Sequence, residues 1–486
     1  MAEAIESLGV VELAAAIADG RIGALEATRH YLQRIERLDR DVHAYVHVAS
    51  EDALRRAAEI DADREAGRPL GPLGGVPVAI KDNMCAVDEP TTCGSRILAD
   101  YRPPYDATAV QRLRDAGAVL LGKTNMDEFA MGSSTETSVY GVTRNPWDLQ
   151  RTPGGSSGGA AAAAAAGLAA GSFGSDTGGS VRQPGSYCGV TAIKPTYGRV
   201  SRYGLIAFAS SLDQIGPLGR SVRDAARLLS VVAGHDPRDA TSVDHPAEDY
   251  VDFCERPVAG VRVGVARQSI EDCEPHVRAA MEQSLARLLE LGCELVDVEL
   301  PHAAHGIASY YIVAPAEASS NLARFDGMRY GLRVAGEDLH DTYARTRGEG
   351  FGAEVKRRIM LGTYALSAGY YDAYYLKAQR VRTLIARDYA RAFERCDAIV
   401  SPTAPDTAFK LGAKLDDPLS MYKEDIFSLP PSLAGLPALS TPCALSDAGL
   451  PVGMQLTGPA LKEGLLVQLA AAHERAFGGV GTPEGY

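Results

Sequence analysis

The spacing of apolar side chains predicts helices in the first part of the chain. From Leu25 through Thr28, Leu32 and Ile35, apolar or nearly apolar positions recur every three to four residues, which is typical of an amphipathic helix. A second helix is predicted at about 51–66, because a serine precedes it and a glycine follows its end. Neither helix carries side chains that indicate chemistry.

A short apolar run predicts a buried strand at 76–80, between a Gly/Pro turn and Lys81. A lysine that follows a buried strand is more often a surface residue than a catalytic one, so the role of Lys81 stays open at this point. Further along, a strand at 261–266, a helix at 275–291 and a strand at 293–298 predict a βαβ unit with parallel strands.

Helices and short strands alternate along the sequence without an internal repeat. This alternation predicts the α/β class, with a mixed central β-sheet covered by helices on both faces. Residues 300–350 read as mixed and polar, and residues 351–393 as tyrosine-rich helices. We expect a single domain over residues 1–486, made of N-terminal helices at 1–69, a core at 70–215 and a polar, helical substrate-side segment at about 300–395.

One motif suggests nucleotide binding but sits in the wrong context. Residues 117–124, Gly-Ala-Val-Leu-Leu-Gly-Lys-Thr, match the phosphate-loop pattern GxxxxGK[ST]. In a phosphate loop the strand precedes the first glycine, whereas here the four variable residues, 118–121, themselves read as a strand. The pattern therefore predicts a strand at 118–121, and no ATP site.

The densest run of small residues lies at 152–189, TPGGSSGGAAAAAAAGLAAGSFGSDTGGSVRQPGSYCG. Glycines flank the pair Ser156 and Ser157, and Ser180 follows a Thr-Gly-Gly sequence, so both segments are predicted to be tight loops that present serines and free N–H groups. The alanines at 160–170 predict a short packed helix between the two loops. A plain Gly/Ser linker is the alternative, but a linker would not place charged residues so close to Ser180.

Composition narrows the classes of function. The formal charge of −13 argues against a broad nucleic-acid-binding face. No apolar run approaches the roughly 20 residues of a membrane helix, and the N-terminus lacks the basic region of a signal peptide. The eight cysteines are scattered without a CxxC pair, which is typical of reduced thiols in a cytoplasmic protein rather than of disulfides or a metal site.

A serine nucleophile needs a proton acceptor and donors for an oxyanion. No histidine occurs between His47 and His235, so a Ser-His-Asp arrangement would need a base from a distant part of the sequence. Lys81 is the alternative base, because burial can lower the pKa of a lysine toward neutrality. The loop at 176–180 offers consecutive backbone N–H groups around Ser180.

These three segments together resemble the amidase signature family, which uses a Ser-cisSer-Lys triad. The resemblance rests on Lys81, GGSSGG at 154–159 and DTGGSVRQP at 176–184. The lysine precedes Ser156 by 75 residues, and Ser156 precedes Ser180 by 24. The resemblance implies the amidase signature fold, Ser180 as the nucleophile that forms an acyl-enzyme, Ser156 as the proton relay and Lys81 as the base. It also implies oxyanion donors in the backbone N–H groups of Thr177, Gly178, Gly179 and Ser180.

Four further stretches are similar to one branch of the family, the glutaminase subunits of tRNA-dependent amidotransferases. They are MDEFAMGSSTETSVYG (126–141), EASSNLARFDGMRYG (317–331), RRIMLGTYALSAGYYDAYY (357–375) and MYKEDIFSLPPSLAGLPALSTPC (421–443). This similarity implies hydrolysis of glutamine and delivery of ammonia to a partner, the B subunit, which uses ATP and Mg²⁺ to amidate misacylated glutamyl-tRNA(Gln) or aspartyl-tRNA(Asn). A small C subunit would complete a heterotrimer. The glutaminase itself would need no metal or cofactor.

The same similarity implies a pocket for glutamine. It assigns Arg358 to the α-carboxylate and Asp425 to the α-ammonium, and a buried zwitterion does require one partner of each sign. The other residues implied for the pocket are Tyr311, Met131, Gly132 and Ser133. Three ordinary interpretations stand beside these assignments: Arg357 and Arg358 as solvated helix charges, Asp425 as a helix cap, and the tyrosines at 370–375 as a packed helix face.

Two other functions compete with the glutaminase. One is a stand-alone amidase that hydrolyses a small or aryl amide, and the other is a non-catalytic scaffold that keeps the fold. The presence of all three triad residues argues against the scaffold.

Overall fold

One eleven-stranded sheet runs through the described part of the chain, residues 5–486 of this computed structural model. The strands are β1 Tyr45–Val48, β2 Pro77–Lys81, β3 Val119–Thr124, β4 Gly171–Asp176, β5 Thr191–Lys194, β6 Gln214–Gly219, β7 Arg262–Val265, β8 Glu294–Asp297, β9 Ala398–Pro402, β10 Ala438–Leu445 and β11 Pro451–Thr457. Their order across the sheet is β1-β3-β2-β4-β6-β5-β10-β11-β9-β7-β8.

The sheet is mixed, which confirms the predicted fold class. Strand β2 lies parallel to β3 and β4, and β7 lies parallel to β8 and β9. The remaining neighbours are antiparallel. The predicted βαβ unit is therefore present, with β7 and β8 paired in parallel through Arg262 and Glu294.

Sixteen α-helices pack around this sheet within residues 5–486. They are α1 Val10–Ala18, α2 Ala24–Val42, α3 Ser50–Glu65, α4 Thr108–Asp115, α5 Gly158–Ala165, α6 Arg182–Cys188, α7 Val222–Val232, α8 Arg267–Glu271, α9 Pro275–Glu290, α10 Gly306–Asn321, α11 Leu339–Gly350, α12 Ala353–Leu366, α13 Lys377–Ala392, α14 Pro418–Tyr422, α15 Leu429–Leu433 and α16 Glu463–Phe477. None of the described helices is both long and apolar enough to span a membrane.

The small-residue stretch is part of the core, so the linker alternative is wrong. Every residue from Thr152 to Thr196 is buried. Helix α5 fits there because it contains only glycine and alanine. Even a Cβ added at Gly159 would lie 2.5 Å from the carbonyl oxygen of Asn125. The predicted helix at 160–170 is too long, because Gly167 adopts a left-handed φ of 61° and the chain turns into β4.

Residues 300–350, predicted as part of a polar, helical segment, contain the helices α10 and α11. Pro315 lies inside α10 and argues against a helix on local grounds. Packing overrides that preference, because Gly362 of α12 approaches α10 so closely that an added Cβ would lie 1.9 Å from the Pro315 carbonyl oxygen. The tyrosines at 370–375 are another correction, since Tyr371–Leu376 form a π-helix in which Tyr371 and Tyr374 are exposed.

The phosphate-loop look-alike is the strand β3, as its sequence predicts. Gly122 has a φ of 144° and lies against the backbone of His47 in β1. The buried Lys123 amine donates to the carbonyl oxygens of Met84 and Pro90 at 2.8 and 3.0 Å and lies 3.3 Å from Asp82. Its donors are therefore engaged inside the protein.

We predict that Lys123→Ala destabilises the fold instead of removing a nucleotide site. The change leaves the buried Asp82 carboxylate without its cationic partner, which costs about 3–5 kcal/mol. Urea unfolding measures the loss, and a double variant, Lys123→Met with Asp82→Leu, should recover part of it. Calorimetry should detect no ATP binding to this chain; saturable binding that disappears in Lys123→Ala would contradict the strand interpretation.

Candidate active site

Lys81 ends strand β2 inside the protein with no exposed surface. Its Nζ atom is 2.7 Å from Ser156 Oγ, 2.9 Å from Ser157 Oγ and 3.2 Å from the Ser175 carbonyl oxygen. Because β2 lies beside β4, the end of β2 meets the segment just before Asp176. The structure thus brings the lysine and the serine pair together, 75 residues apart in the sequence.

Burial lowers the pKa of Lys81 to about 7, although the carboxylates of Asp127, Asp176 and Asp213 act in the opposite direction. The amine is therefore largely neutral above that pH and carries a lone pair. A lysine with its ordinary pKa of about 10.4 would be a poor base near neutral pH. The desolvation of the strand end turns Lys81 into a group that can accept a proton.

The two serines of the pair have different partners. The peptide bond between Gly155 and Ser156 is cis, and Ser157 directly precedes helix α5. The Ser157 hydroxyl donates to the Ser175 carbonyl oxygen at 3.2 Å, and the Ser157 N–H donates to the Ser180 carbonyl oxygen at 3.0 Å. The proton of Ser157 is therefore directed to the backbone, whereas that of Ser156 can go to Lys81.

Asp176 organises the loop that follows β4. Its carboxylate accepts from the Gly179 N–H at 2.8 Å and from two guanidinium nitrogens of Arg182 at 2.9 and 3.0 Å. Burial alone would raise the pKa of Asp176, but the charge and hydrogen bonds of Arg182 outweigh burial and lower it. Arg182 is fully buried and also donates to Gln455, which fixes the loop to strand β11.

The same hydrogen bond corrects one predicted oxyanion donor. The Gly179 N–H is already donated to Asp176, so it is not free for a substrate. Gly179 is required for another reason: its φ is 145°, and an added Cβ would lie 2.2 Å from Ser428 Oγ and 3.0 Å from Asp425 Oδ1. Gly178 packs against Tyr310 with similar tightness. The N–H groups of Thr177, Gly178 and Ser180 remain as candidates.

Ser180 is 7% exposed and sits between this loop and helix α6. Its carbonyl oxygen is tied to Ser157, but its hydroxyl makes no hydrogen bond to Ser156 or to any other described residue. The structure places Ser180 next to the serine pair through the backbone, with its side chain unengaged.

Several buried polar residues that the sequence did not single out support these loops. Asp127 accepts from the backbone N–H groups of Ser134 and Thr135 at 3.2 and 2.8 Å, and its own N–H donates to the Ser156 carbonyl oxygen. Gln183 accepts from the Gly155 N–H at 2.9 Å. The only sequence signal for Asp127 is its position before a run of serines and threonines, which is typical of a carboxylate that closes a turn.

The residues implied for a substrate pocket lie around this centre. Arg358 is 3% exposed, so it is not a solvated charge, while Arg357 beside it is exposed. Asp425 is buried and does not cap a helix, because it lies inside the short 3-10 helix Lys423–Asp425 and Ser428 is the N-cap of α15. Its Oδ2 accepts from Ser133 Oγ at 2.5 Å. Burial raises the pKa of Asp425 to about 8, and its Oδ1 atom is buried without a hydrogen-bond partner among the described residues.

A cavity of about 250 Å³ connects several of these residues. Gly132, Ser133 and Arg358 line it. Met131 is fully buried and directly precedes Gly132 in the chain. Gly132 must be a glycine because an added Cβ would lie 2.3 Å from the Asp127 carboxyl carbon. Tyr311 faces Arg358 with its ring centre 5.1 Å from the guanidinium. A larger cavity of about 420 Å³ lies near the chain ends and contains none of the predicted site residues.

No group of three or more metal-binding side chains lies together in residues 5–486. All eight cysteines are buried and unpaired. Burial raises the pKa of all eight thiols, for example that of Cys85 to about 11.

Comparisons with known proteins identify relatives over almost the whole chain. The family model described as amidase matches residues 26–467. The A subunit of glutamyl-tRNA(Gln) amidotransferase from Moorella thermoacetica is 57% identical over 456 residues, which cover 94% of this chain and 93% of that protein. The protein of the same name from Chloroflexus aurantiacus is 54% identical over 472 residues, covering 97% of each.

Two solved structures are similar as well. The crystal structure of the A subunit of glutamyl-tRNA(Gln) amidotransferase from Thermotoga maritima matches with a TM-score of 0.83 and 43% identity, over 100% of this chain and 99% of that one. The native peptide amidase from Stenotrophomonas maltophilia matches with a TM-score of 0.83 and 33% identity, over 98% of each chain.

Proposed function

Because this chain belongs to the amidase family, we propose that it is the glutamine-hydrolysing A subunit of a tRNA-dependent amidotransferase, with Lys81, Ser156 and Ser180 as its catalytic triad. The observation that carries the catalytic part is the contact between the buried Lys81 amine and Ser156 Oγ, 2.7 Å long, beside the loop that presents Ser180. The identity to amidotransferase subunits over nearly the whole chain supports the substrate.

In the first half of the reaction, Ser180 Oγ attacks the γ-carboxamide carbon of glutamine. The Ser180 proton passes to Ser156 Oγ, and the Ser156 proton passes to the neutral Lys81 amine. The N–H groups of Thr177, Gly178 and Ser180 stabilise the oxyanion, while the Gly179 N–H holds Asp176 and shapes the loop. Lys81 then returns its proton through Ser156 to the leaving nitrogen, and ammonia departs from a γ-glutamyl ester on Ser180.

In the second half, water attacks the ester and its proton again moves through Ser156 to Lys81. The Ser180 oxygen leaves and regains a proton, and glutamate is released. Only protons and the acyl group move, so these steps need only water and the side chains and backbone N–H groups of this chain.

The pocket residues explain why glutamine would be preferred over a simple amide. Arg358 can bind the α-carboxylate through two parallel hydrogen bonds, and Asp425 can accept from the α-ammonium with its unpartnered Oδ1. Ser133 holds Asp425, and Tyr311 covers Arg358. Met131 and Gly132 close the wall beside Asp127.

The ammonia would be used on a partner, the B subunit, which consumes ATP with Mg²⁺ to amidate misacylated glutamyl-tRNA(Gln) or aspartyl-tRNA(Asn), in a heterotrimer with a small C subunit. We place this assembly in the cytoplasm. We also propose that the chain forms one domain, since the sheet is built from strands on both sides of residue 215.

The role of Lys81 predicts a specific pH profile. Protonation below its pKa of about 7 removes the lone pair, so glutaminase activity should fall about tenfold per pH unit in that range and level off above it. Lys81→Ala and Lys81→Arg should both be inactive, because a guanidinium stays charged. Rates are measured on the assembled complex, with circular dichroism as a check on folding. A flat profile from pH 5 to 8, or an active arginine variant, would rule out Lys81 as the base.

The two serines of the pair provide a matched comparison. Ser156→Ala should reduce kcat by about 10²–10⁴-fold, because it removes the proton relay. Ser157→Ala should reduce kcat less, since its hydroxyl proton is directed to the Ser175 carbonyl oxygen. Ser180→Ala should abolish hydrolysis and acyl-enzyme formation, which mass spectrometry detects. If Ser157→Ala proves more severe than Ser156→Ala, the proton relay has been assigned to the wrong serine.

The decisive test of the substrate compares glutamine with a small neutral amide in the presence of the partner subunits. Arg358→Ala or Asp425→Ala should raise the KM for glutamine by ~10²-fold or more, because each leaves one substrate charge unpaired in a buried site. Hydrolysis of the neutral amide should change little. A parallel loss for both substrates would assign these residues to the fold, and no loss for either would favour the stand-alone amidase.

A further inference from the structure

We propose that Glu354 is a positioning residue for substrate selection: it fixes the Arg358 guanidinium so that its two terminal nitrogens face the substrate carboxylate. This inference rests on the proposed glutaminase function. The Glu354 carboxylate accepts from Arg358 Nε at 2.8 Å, one helical turn away on α12.

The Arg358 guanidinium is held on several sides at once. The rings of Tyr311, Tyr422 and Phe208 surround it, with its central carbon 5.1, 5.5 and 5.6 Å from their centres. Neither Nη1 nor Nη2 has a hydrogen-bond partner among the described residues, and Arg358 lines the 250 Å³ cavity. The only engaged nitrogen is therefore Nε, and the paired edge is left for a ligand with two oxygens.

Glu354 fixes the surroundings of Arg358 as well. The same carboxylate oxygen that binds Arg358 also accepts from the Tyr422 hydroxyl at 3.0 Å. Tyr422 in turn stacks on Tyr311, with ring centres 3.6 Å apart and planes 21° from parallel. One carboxylate thus sets the orientation of the guanidinium and of a ring that covers it.

The segment that contains Glu128 and Ser133 also holds the start of the helix that carries Glu354. Helix α12 begins at Ala353, and the N–H of the preceding Gly352 donates to Glu128 at 2.8 and 3.1 Å. Glu128 is buried and also accepts from Ser95 Oγ at 2.5 Å. Because Glu128 and Ser133 belong to the same loop, that loop supports both Arg358, through α12, and Asp425 directly.

Chemistry gives Glu354 a role different from that of Arg358. Glu354 also lines the cavity, where a free carboxylate would repel the substrate carboxylate, but its two oxygens accept hydrogen bonds from Arg358 Nε and Arg357 Nη1. Its contribution is to limit the rotamers of a long side chain before the substrate arrives. Glutamine in place of glutamate keeps an oxygen acceptor for Nε, whereas alanine does not.

The experiment uses the assembled complex and two substrates. One is glutamine, and the other is 4-aminobutanamide, which is glutamine without its α-carboxylate. Glu354→Ala should raise the KM for glutamine about tenfold and leave kcat nearly unchanged, because binding common to the ground and transition states is lost. Its kcat/KM for 4-aminobutanamide should stay within about threefold of the unmodified complex, since that substrate has no α-carboxylate for Arg358 to bind. Glu354→Gln should keep the glutamine KM within about threefold.

A double-variant cycle with Arg358→Ala completes the test. Once Arg358 is absent, Glu354→Ala should cause no further rise in the KM for glutamine, because nothing is left to position. Independent, additive effects would overturn the inference, as would equal losses for both substrates or an unchanged KM in Glu354→Ala. If Arg358→Ala itself leaves the glutamine KM unchanged, the proposed substrate pocket fails as well, so the two failures are distinguishable.

Discussion

The removal of the Lys81 amine from water is the constraint on which the rest of the site depends. Burial lowers its pKa to about 7, which corresponds to destabilisation of the charged amine by on the order of 5 kcal/mol relative to a lysine in water. Three buried carboxylates nearby act against that shift. Each of those carboxylates accepts hydrogen bonds from other groups, such as Arg182 on Asp176 and Thr177 on Asp213.

This desolvation explains why the surrounding sequence is made of such small residues. The loops around the two serines and the start of α5 must pack against the strand ends with backbone nearly in contact. At Gly155 an added Cβ would lie 2.1 Å from Asp127 Oδ2, and at Gly174 it would lie 2.6 Å from Ser157 Oγ. Larger side chains would push these elements apart and admit water to the lysine.

The pocket balances its charges before any substrate enters. Arg358 is paired with Glu354, and burial raises the pKa of Asp425 to about 8, so that Asp425 holds a proton at neutral pH. An ammonium that takes the place of this proton would meet a carboxylate already oriented by Ser133. An empty site of this kind avoids the cost of an isolated buried charge.

Local patterns in the sequence were sufficient to predict some features of the structure. Apolar periodicity predicted α2, α9 and the parallel pair of β7 and β8, because those elements bury one face or a whole strand. The apolar residues at 118–121 correctly predicted a strand where the GxxxxGK[ST] motif would have suggested a phosphate loop. The resemblance to a known family identified Lys81 and Ser156, which lie in contact, and its assignment of a role to Ser180 stays a prediction.

Other features depend on contacts between distant parts of the chain, which no local pattern contains. Helix α10 forms despite Pro315 because α12 packs on it, and α5 ends early because Gly167 turns the chain into the sheet. The Gly179 N–H is lost as an oxyanion donor only because Asp176 folds back onto it. Likewise, Asp127, Glu128 and Glu354 are ordinary acidic residues in sequence. Burial and partners up to 224 residues away, as between Glu128 and Gly352, are what give them their roles.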